Sequence, residues 1–126
     1  MSILNKEDLS MQRPLFQFRH VGINTKDAAE AERTALLLCN LFGFDEKKTP
    51  VSFFAGDSIE VMNNGDVGRC GHIAFTVSSI ADATAYLNQM GWQTNPDTAV
   101  HTPEGKIKLV YLTQEIGGFA IHLFEE

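Results

Sequence analysis

Apolar and polar residues follow two different periods along this chain, and the two periods predict where its strands and helices lie. Strict alternation, as around His72-Ile73-Ala74-Phe75, is typical of a strand with unlike faces. Steps of three and four positions between apolar residues predict one helix over 26–42 and a second that starts after Ser79. Gly43 and Gly91 stand where these two helices are expected to end.

The predicted strands and helices occur in the same order in each half of the chain. We predict strands at residues 16–24, 51–54, 58–62, 72–77, 98–102, 106–113 and 119–125, with a further short strand near 44–48. Asn24 or Thr25 is predicted to cap the first helix, and Ser79 the second. The order βαβββ, found twice, favours an α+β fold in which one helix per half covers one face of a mixed sheet.

Three landmarks recur in the same order, which indicates that the two halves are copies of one unit. His20-Val21-Gly22-Ile23 corresponds to His72-Ile73-Ala74-Phe75, and residues 56–61 correspond to residues 118–123. The ends of the two predicted helices match as well. A duplicated unit of about 50–60 residues accounts for all three. The correspondence pairs His20 with His72, and Glu60 with His122.

Four of the predicted strands place one ionisable side chain among apolar neighbours on the same face. These residues are His20, Glu60, His72 and His122. A buried carboxylate is costly unless it is paired or bound to a metal, and one divalent ion holds imidazole and carboxylate ligands together. The pattern therefore favours a shared metal site. The alternative is a metal-free polar cluster held by hydrogen bonds.

Composition narrows the class of protein without identifying its function. The chain has 126 residues and a net charge of −6, so we expect neither nucleic acid nor an anionic membrane surface as a partner. No stretch has the length and apolarity of a membrane span. Cys39 and Cys70 lack metal-type spacing and are expected to be buried free thiols in a reducing compartment, which favours a cytoplasmic location.

The length is typical of one domain. Residues 1–14 are polar and aperiodic, and we expect them to form a flexible N-terminal arm. Residues 15–126 are expected to form a single domain made of two modules, 15–64 and 68–126. A half-open sheet edge favours pairing between copies, so we also expect a homodimer, across which the arm could reach.

The repeated residues resemble the vicinal oxygen chelate superfamily, which includes glyoxalase I, bleomycin-binding proteins and extradiol dioxygenases. The resemblance covers residues 16–125 and rests on His20-Val21-Gly22-Ile23, Ser58-Ile59-Glu60-Val61-Met62, Gly71-His72-Ile73-Ala74-Phe75 and Gly118-Phe119-Ala120-Ile121-His122. It implies a cupped mixed sheet and a divalent metal (Zn, Ni, Mn or Fe) held by His20, Glu60, His72 and His122. It also implies a lyase or isomerase reaction on a small 2-oxo or 2-hydroxy carbonyl compound, with Glu60 as catalytic residue.

One position departs from the superfamily pattern, because His122 stands where glyoxalase-like and dioxygenase-like members usually have Glu. Glu60 would then act alone as the carboxylate that moves a proton. Dioxygenase chemistry needs two histidines, one carboxylate and open positions on the metal. His20, His72 and Glu60 supply such a set from strands unusual for that branch, so a dioxygenase is a distant third alternative.

A narrower likeness joins the chain to the chelate-type domain attached to some bacterial aldolases, which cleave 4-hydroxy-2-oxoglutarate or 2-keto-3-deoxy-6-phosphogluconate. It rests on residues 58–62, 71–74 and 115–123, and in that branch His122 is the expected residue. This likeness implies sugar-acid metabolism and an aldolase partner. A non-catalytic small-molecule-binding or aldolase-associated accessory domain is therefore the alternative to an enzyme.

Three further residues share the strand faces of the candidate ligands and are predicted to line a substrate pocket. They are Phe18, Met62 and Phe124. Arg19 precedes His20 and lies on the opposite strand face by alternation, so we expect it to be an exposed surface arginine.

Overall fold

The structure is a computed structural model that describes residues 13–65 and 67–126. Its elements are β1 (Gln17–Asn24), α1 (Ala28–Phe42), β2 (Glu46–Lys48), β3 (Ser52–Ala55), β4 (Ile59–Met62), β5 (Gly71–Val77), α2 (Ile80–Gln89), β6 (Thr94–His101), β7 (Ile107–Leu112) and β8 (Phe119–Glu125). The predicted order βαβββ, found twice, is confirmed, and so is the short strand near 44–48. The predicted arm at 1–14 lies almost wholly outside the described residues.

The described residues form two compact units. The N-terminal unit comprises Phe18–Ala74 and Glu115–Ile121, and the C-terminal unit comprises residues 13–17, Phe75–Gln114 and His122–Glu126. Strands β5 and β8 contribute residues to both units. Hydrogen bonding orders the strands as β2-β3-β4-β1-β5-β8-β7-β6. The sheet is mixed, because β1 and β4 are parallel whereas β2, β3 and β4 pair antiparallel.

In the N-terminal unit, helix α1 covers one face of the strands through small and apolar side chains. Ala31 and Ala35 are fully buried and pack with Phe53 of β3 and Val61 of β4. Burial of this apolar surface stabilises the unit. Because side chains alternate along a strand, the neighbour of Val61, Glu60, faces the other side of the sheet.

In the C-terminal unit, helix α2 packs against strands β5, β7 and β8. The buried core there consists of Val77, Ile80, Ala83, Val110 and Leu123. The ring of Phe16 meets that of Phe75 edge-on, with 6.5 Å between centroids. Strand β6 begins at Thr94 rather than at the predicted Thr98, and it carries Pro96. It tolerates this proline because it is the last strand in the sheet order.

The ends of the helices match two predictions made from the sequence. Gly43 ends α1 in the left-handed conformation, with φ of 80°, and donates its N–H to the carbonyl of Cys39 at 2.9 Å. Ser79 caps α2, since its hydroxyl accepts the N–H of Asp82 at 3.1 Å.

The predicted cap of α1 at Asn24 or Thr25 is wrong. Asp27 caps this helix, because its carboxylate accepts the N–H of Glu30 at 2.8 Å. The hydroxyl of Thr25 instead donates to the carbonyl of Met62 at 2.6 Å, and the amide of Asn24 donates to backbone carbonyls of the β4–β5 connection. Both predicted capping side chains are therefore hydrogen-bonded to backbone carbonyls that are distant in the sequence.

The two cysteines differ in exposure. Cys39 is buried, as predicted, but the prediction for Cys70 is wrong because its side chain is exposed. Cys70 immediately precedes β5, where its N–H donates to the carbonyl of Gly118 at 2.7 Å. Within residues 13–65 and 67–126, neither helix has the combination of length and apolarity needed to cross a membrane.

Asp27→Ala is expected to lower the free energy of unfolding by about 1 kcal/mol, because the N–H of Glu30 loses its acceptor. Asp27→Asn is the control, since its amide oxygen retains an acceptor at the same place. Urea denaturation followed by circular dichroism measures both variants. Equal stability of Asp27→Ala and the wild type would show that another group caps α1.

Candidate metal centre

Two histidines and one glutamate converge in the N-terminal unit. His20 lies on β1, Glu60 on β4 and His72 on β5, and β1 is the strand between the other two. Nε2 of His20 is 3.1 Å from Nε2 of His72 and 3.2 Å from Oε1 of Glu60. Nε2 of His72 is 3.1 Å from the same carboxylate oxygen. The three atoms therefore form a nearly equilateral triangle.

The three side chains are shielded from water. His20 and Glu60 are each 9% exposed, and His72 is 4% exposed. Burial by itself raises the pKa of Glu60, but hydrogen bonds with His20, His72 and Ser52 outweigh it and hold this pKa well below its ordinary value of 4.5. Glu60 is therefore ionised at neutral pH.

The second oxygen of Glu60 is held by a chain of hydroxyl groups that the sequence patterns did not reveal. The fully buried Ser52 donates its hydroxyl to Oε2 of Glu60 at 2.7 Å. Oγ1 of Thr49 lies 2.7 Å from Oγ of Ser52, and Thr49 is the donor because the Ser52 proton is already engaged. The chain fixes the carboxylate so that Oε1 faces the histidines. The signal in the sequence that could have identified Ser52 is that it is a polar residue in β3, on the same sheet face as Glu60.

Gly22 leaves the space that the ring of His72 occupies. A Cβ placed on Gly22 would overlap this imidazole, at 2.7 Å from Nε2 and closer still to two other ring atoms. Any larger side chain at this position would have to displace the ring. Gly22 belongs to the His20-Val21-Gly22-Ile23 landmark, but the repeat alone did not explain why a glycine is required there.

The fourth predicted ligand, His122, belongs to the C-terminal unit. It lies on β8, is 7% exposed and is the cross-strand partner of Tyr111 on β7. The centroids of the two rings are 4.9 Å apart.

The predicted pocket residues differ in exposure. Phe18 is exposed, whereas Met62 and Phe124 are half-buried. Phe18 lies two residues before His20 in β1, and Met62 lies two residues after Glu60 in β4, so each shares a strand face with a candidate ligand. Their role as a substrate pocket stays a prediction.

The donor set and its geometry fit a divalent metal. Imidazole nitrogens and carboxylate oxygens bind zinc at about 2.0–2.2 Å, so that neighbouring ligand atoms of a tetrahedral site are about 3.3–3.6 Å apart, slightly more than the edges of the triangle. The edges of the triangle are 3.1 Å, 3.1 Å and 3.2 Å. The same distances also fit hydrogen bonds among the three side chains. The metal-free polar cluster, which is the alternative predicted from the sequence, therefore has the same geometry.

Comparison with known proteins identifies the fold. No family model matches the chain, and no curated protein matches its sequence. A variant of methylmalonyl-CoA epimerase from Streptomyces coelicolor, in complex with 2-nitronate-propionyl-CoA, has a TM-score of 0.61 and 18% identity, covering 89% of this chain and 98% of that chain. Methylmalonyl-CoA epimerase from Mycobacterium tuberculosis has a TM-score of 0.56 and 18% identity, covering 86% of this chain and 87% of that chain.

A third solved structure belongs to another class of enzyme. A variant of homoprotocatechuate 2,3-dioxygenase from B. fuscum has a TM-score of 0.59 and 14% identity, covering 90% of this chain and 33% of that chain. Such epimerases and extradiol dioxygenases share one superfamily fold. The chain has the vicinal oxygen chelate fold. The predicted α+β class with its mixed sheet is thus confirmed, and the three converging residues lie on the first and fourth strands of one βαβββ repeat and the first strand of the next.

Gly22→Ala is expected to lower the free energy of unfolding by about 1–3 kcal/mol, because the added methyl group must displace the ring of His72. Gly65→Ala is the control, since a Cβ there meets only atoms of Asn24 at 3.9 Å. Chemical denaturation measures stability, and imidazole NMR signals report the position of His72. Unchanged stability together with unchanged His72 signals would contradict the close approach of Gly22 to this ring.

The metal-free protein is expected to lose stability as the pH falls below about 4.5, the ordinary pKa of Glu60. Because folding lowers this pKa, the contribution of Glu60 is complete above its unfolded-state pKa and is lost as the pH falls toward the folded-state value. In this window Glu60→Gln should show a shallower decline, by up to about 1.4 kcal/mol per pH unit. Urea unfolding at several pH values measures the slopes, with the exposed Glu32→Gln as control. Parallel profiles for the wild type and Glu60→Gln would refute this coupling.

Proposed function

We propose that the chain is a metal-dependent enzyme of the lyase or isomerase type that acts on a small 2-oxo or 2-hydroxy carbonyl compound. The observation that carries this proposal is the triangle formed by His20, Glu60 and His72. Two imidazoles and one carboxylate are buried together on one face of the sheet, and this donor set suits Zn, Ni, Mn or Fe. Elemental analysis of the purified protein identifies which of these metals is bound.

We propose His122 as the fourth ligand. It is buried, and it directly follows Ile121 in β8, the neighbour of the strand that carries His72. A site of three neutral histidines and one glutamate places one negative charge against the two positive charges of the ion. The remaining positive charge favours an anionic ligand such as an oxo acid.

Glu60 is proposed as the group that moves a proton. When bound, a divalent metal would polarise a carbonyl oxygen of the substrate and acidify the neighbouring C–H. Glu60 is ionised, and Ser52 holds its Oε2 while Oε1 faces the histidines. A carboxylate that binds a divalent metal is a weaker base than a free one, so proton abstraction by Glu60 depends on an acidified C–H.

The similar structures support isomerase-type chemistry more than oxygen chemistry. Two of the three described above are epimerases, and one is a dioxygenase that the chain covers only in part. The weak basicity of Glu60 favours a second candidate, a non-catalytic small-molecule-binding or aldolase-associated accessory domain. We also propose a cytoplasmic location, a homodimer and an aldolase partner, together with a substrate pocket formed by Phe18, Met62 and Phe124.

Elemental analysis of protein purified without a histidine tag is expected to find about one Zn, Ni, Mn or Fe per chain, and His72→Ala is expected to lose it. Ser52→Ala removes a bond to the carboxylate rather than a ligand, so it should weaken metal binding about 10- to 100-fold. His101→Ala is the matched control, because His101 is exposed on β6. Absence of metal, with no uptake on titration, would overturn the metal site and leave the hydrogen-bonded cluster.

The catalytic part of the proposal is tested by screening small 2-oxo and 2-hydroxy acids with the metal-loaded protein. Glu60→Gln is expected to lower kcat by at least about 100-fold, in the range typical of a lost general base. Ligand binding without turnover by the wild type would instead support the binding domain. Oxygen uptake with catechols would support the dioxygenase.

A further inference from the structure

We propose that the ring of Tyr111 is a positioning group that holds the imidazole of His122, the proposed fourth ligand, in a single orientation. This inference rests on the proposed function, because it concerns how one ligand of that site is held. Both residues belong to the C-terminal unit, with Tyr111 on β7 and His122 on β8. The sequence patterns did not single out Tyr111.

The antiparallel register of β7 and β8 places the two rings side by side. Tyr111 and His122 are directly opposite each other in the ladder, and cross-strand partners present their side chains on the same face. The next pair along these strands, Val110 and Leu123, lies in the buried core beneath helix α2. Because side chains alternate along a strand, Tyr111 and His122 lie on the face that is turned away from α2.

The two rings are in contact, and the imidazole is buried. Their centroids are 4.9 Å apart and their planes are inclined by 46°. This separation lies within the range of about 4.5–7 Å in which aromatic rings attract each other. His122 is 7% exposed, and Tyr111 is half-buried. A buried imidazole against a large ring has few alternative rotamers, because reaching them requires that ring to move.

The backbone of Tyr111 is itself held by a side chain of β6. Between Asn95 and Val100 the register of β6 shifts against β7, and such a bulge disrupts the regular ladder of hydrogen bonds. The hydroxyl of Thr98 accepts the N–H of Tyr111 at 2.9 Å and donates to the carbonyl of Asn95 at 2.7 Å. Thr98 therefore bridges the irregular part of the ladder and anchors Tyr111 opposite His122.

Support of this kind matters for a metal ligand, because an imidazole binds through one ring nitrogen in one direction. Removing a group that orients a ligating histidine typically costs about 10- to 100-fold in metal affinity. The other proposed ligands, His20, Glu60 and His72, restrain one another through contacts of 3.1 Å and 3.2 Å. Tyr111 supplies a comparable restraint for His122 from within its own unit.

The rotamer of His122 is measured first, by NMR couplings across its χ1 in protein stripped of metal by a chelator. The wild type and Tyr111→Phe are expected to show one rotamer, and Tyr111→Leu an average of several, because leucine removes the ring. Thr98→Val should act in the same direction as Tyr111→Leu, whereas Thr98→Ser keeps the hydroxyl and should not. Tyr86→Leu is the matched control, since it makes the same change in α2, on the opposite side of the sheet.

Zinc affinity is measured next, by competition with a chelator. Tyr111→Leu is expected to weaken zinc binding about 10- to 100-fold, and Tyr111→Phe is expected to leave it near the wild-type value. In a His122→Ala background Tyr111→Leu should have no further effect, because the ring acts through His122.

Three results would each overturn the inference. The first is the same χ1 couplings of His122 in the wild type and in Tyr111→Leu. The second is an equal loss of zinc affinity in Tyr111→Phe and Tyr111→Leu, which would assign the effect to the hydroxyl rather than the ring. The third is an undiminished effect of Tyr111→Leu in the His122→Ala background.

The rotamer measurement needs no metal, which keeps the two proposals apart. A single His122 rotamer that depends on Tyr111, in a protein that takes up no zinc, would support the positioning role and defeat the proposed function. Zinc uptake together with a His122 rotamer that is independent of Tyr111 would do the reverse.

Discussion

The burial of one carboxylate is the constraint on which the candidate site depends. A carboxylate whose side chain is ionised and only 12% exposed would oppose folding if the loss of water were not compensated. Glu60 obtains this compensation from His20 and His72 at one oxygen and from Ser52 at the other. Each partner lies on a different strand, so the carboxylate stays satisfied only while four strands keep their register.

The need for that register explains the small residues around the site. Gly22 is the cross-strand partner of Glu60 in the parallel pair of β1 and β4, and its missing side chain leaves space for the ring of His72. Helix α1 covers the other face of the same strands, where the alanines at 31 and 35 pack with Phe53 and Val61. One face is thus fixed by apolar packing, which leaves the other face available for polar chemistry.

The polar face of the strands carries the candidate ligands as a buried cluster, and burial changes how they would interact with an ion. The buried triangle concentrates ligand atoms where water is excluded, which strengthens electrostatic interactions with a bound ion.

The sequence by itself determined the elements, their repeated order and the strand faces of His20, Glu60 and His72, because the periods of strands and helices are local properties of the chain. The tertiary structure decided what depends on residues far apart in sequence. Thr25 was a reasonable predicted cap for α1, but its hydroxyl donates to the carbonyl of Met62. Asp27 caps the helix instead, by accepting the N–H of Glu30. Likewise, the bond from Ser52 to Glu60 and the space that Gly22 leaves for His72 follow from strand register and packing, which no local pattern encodes.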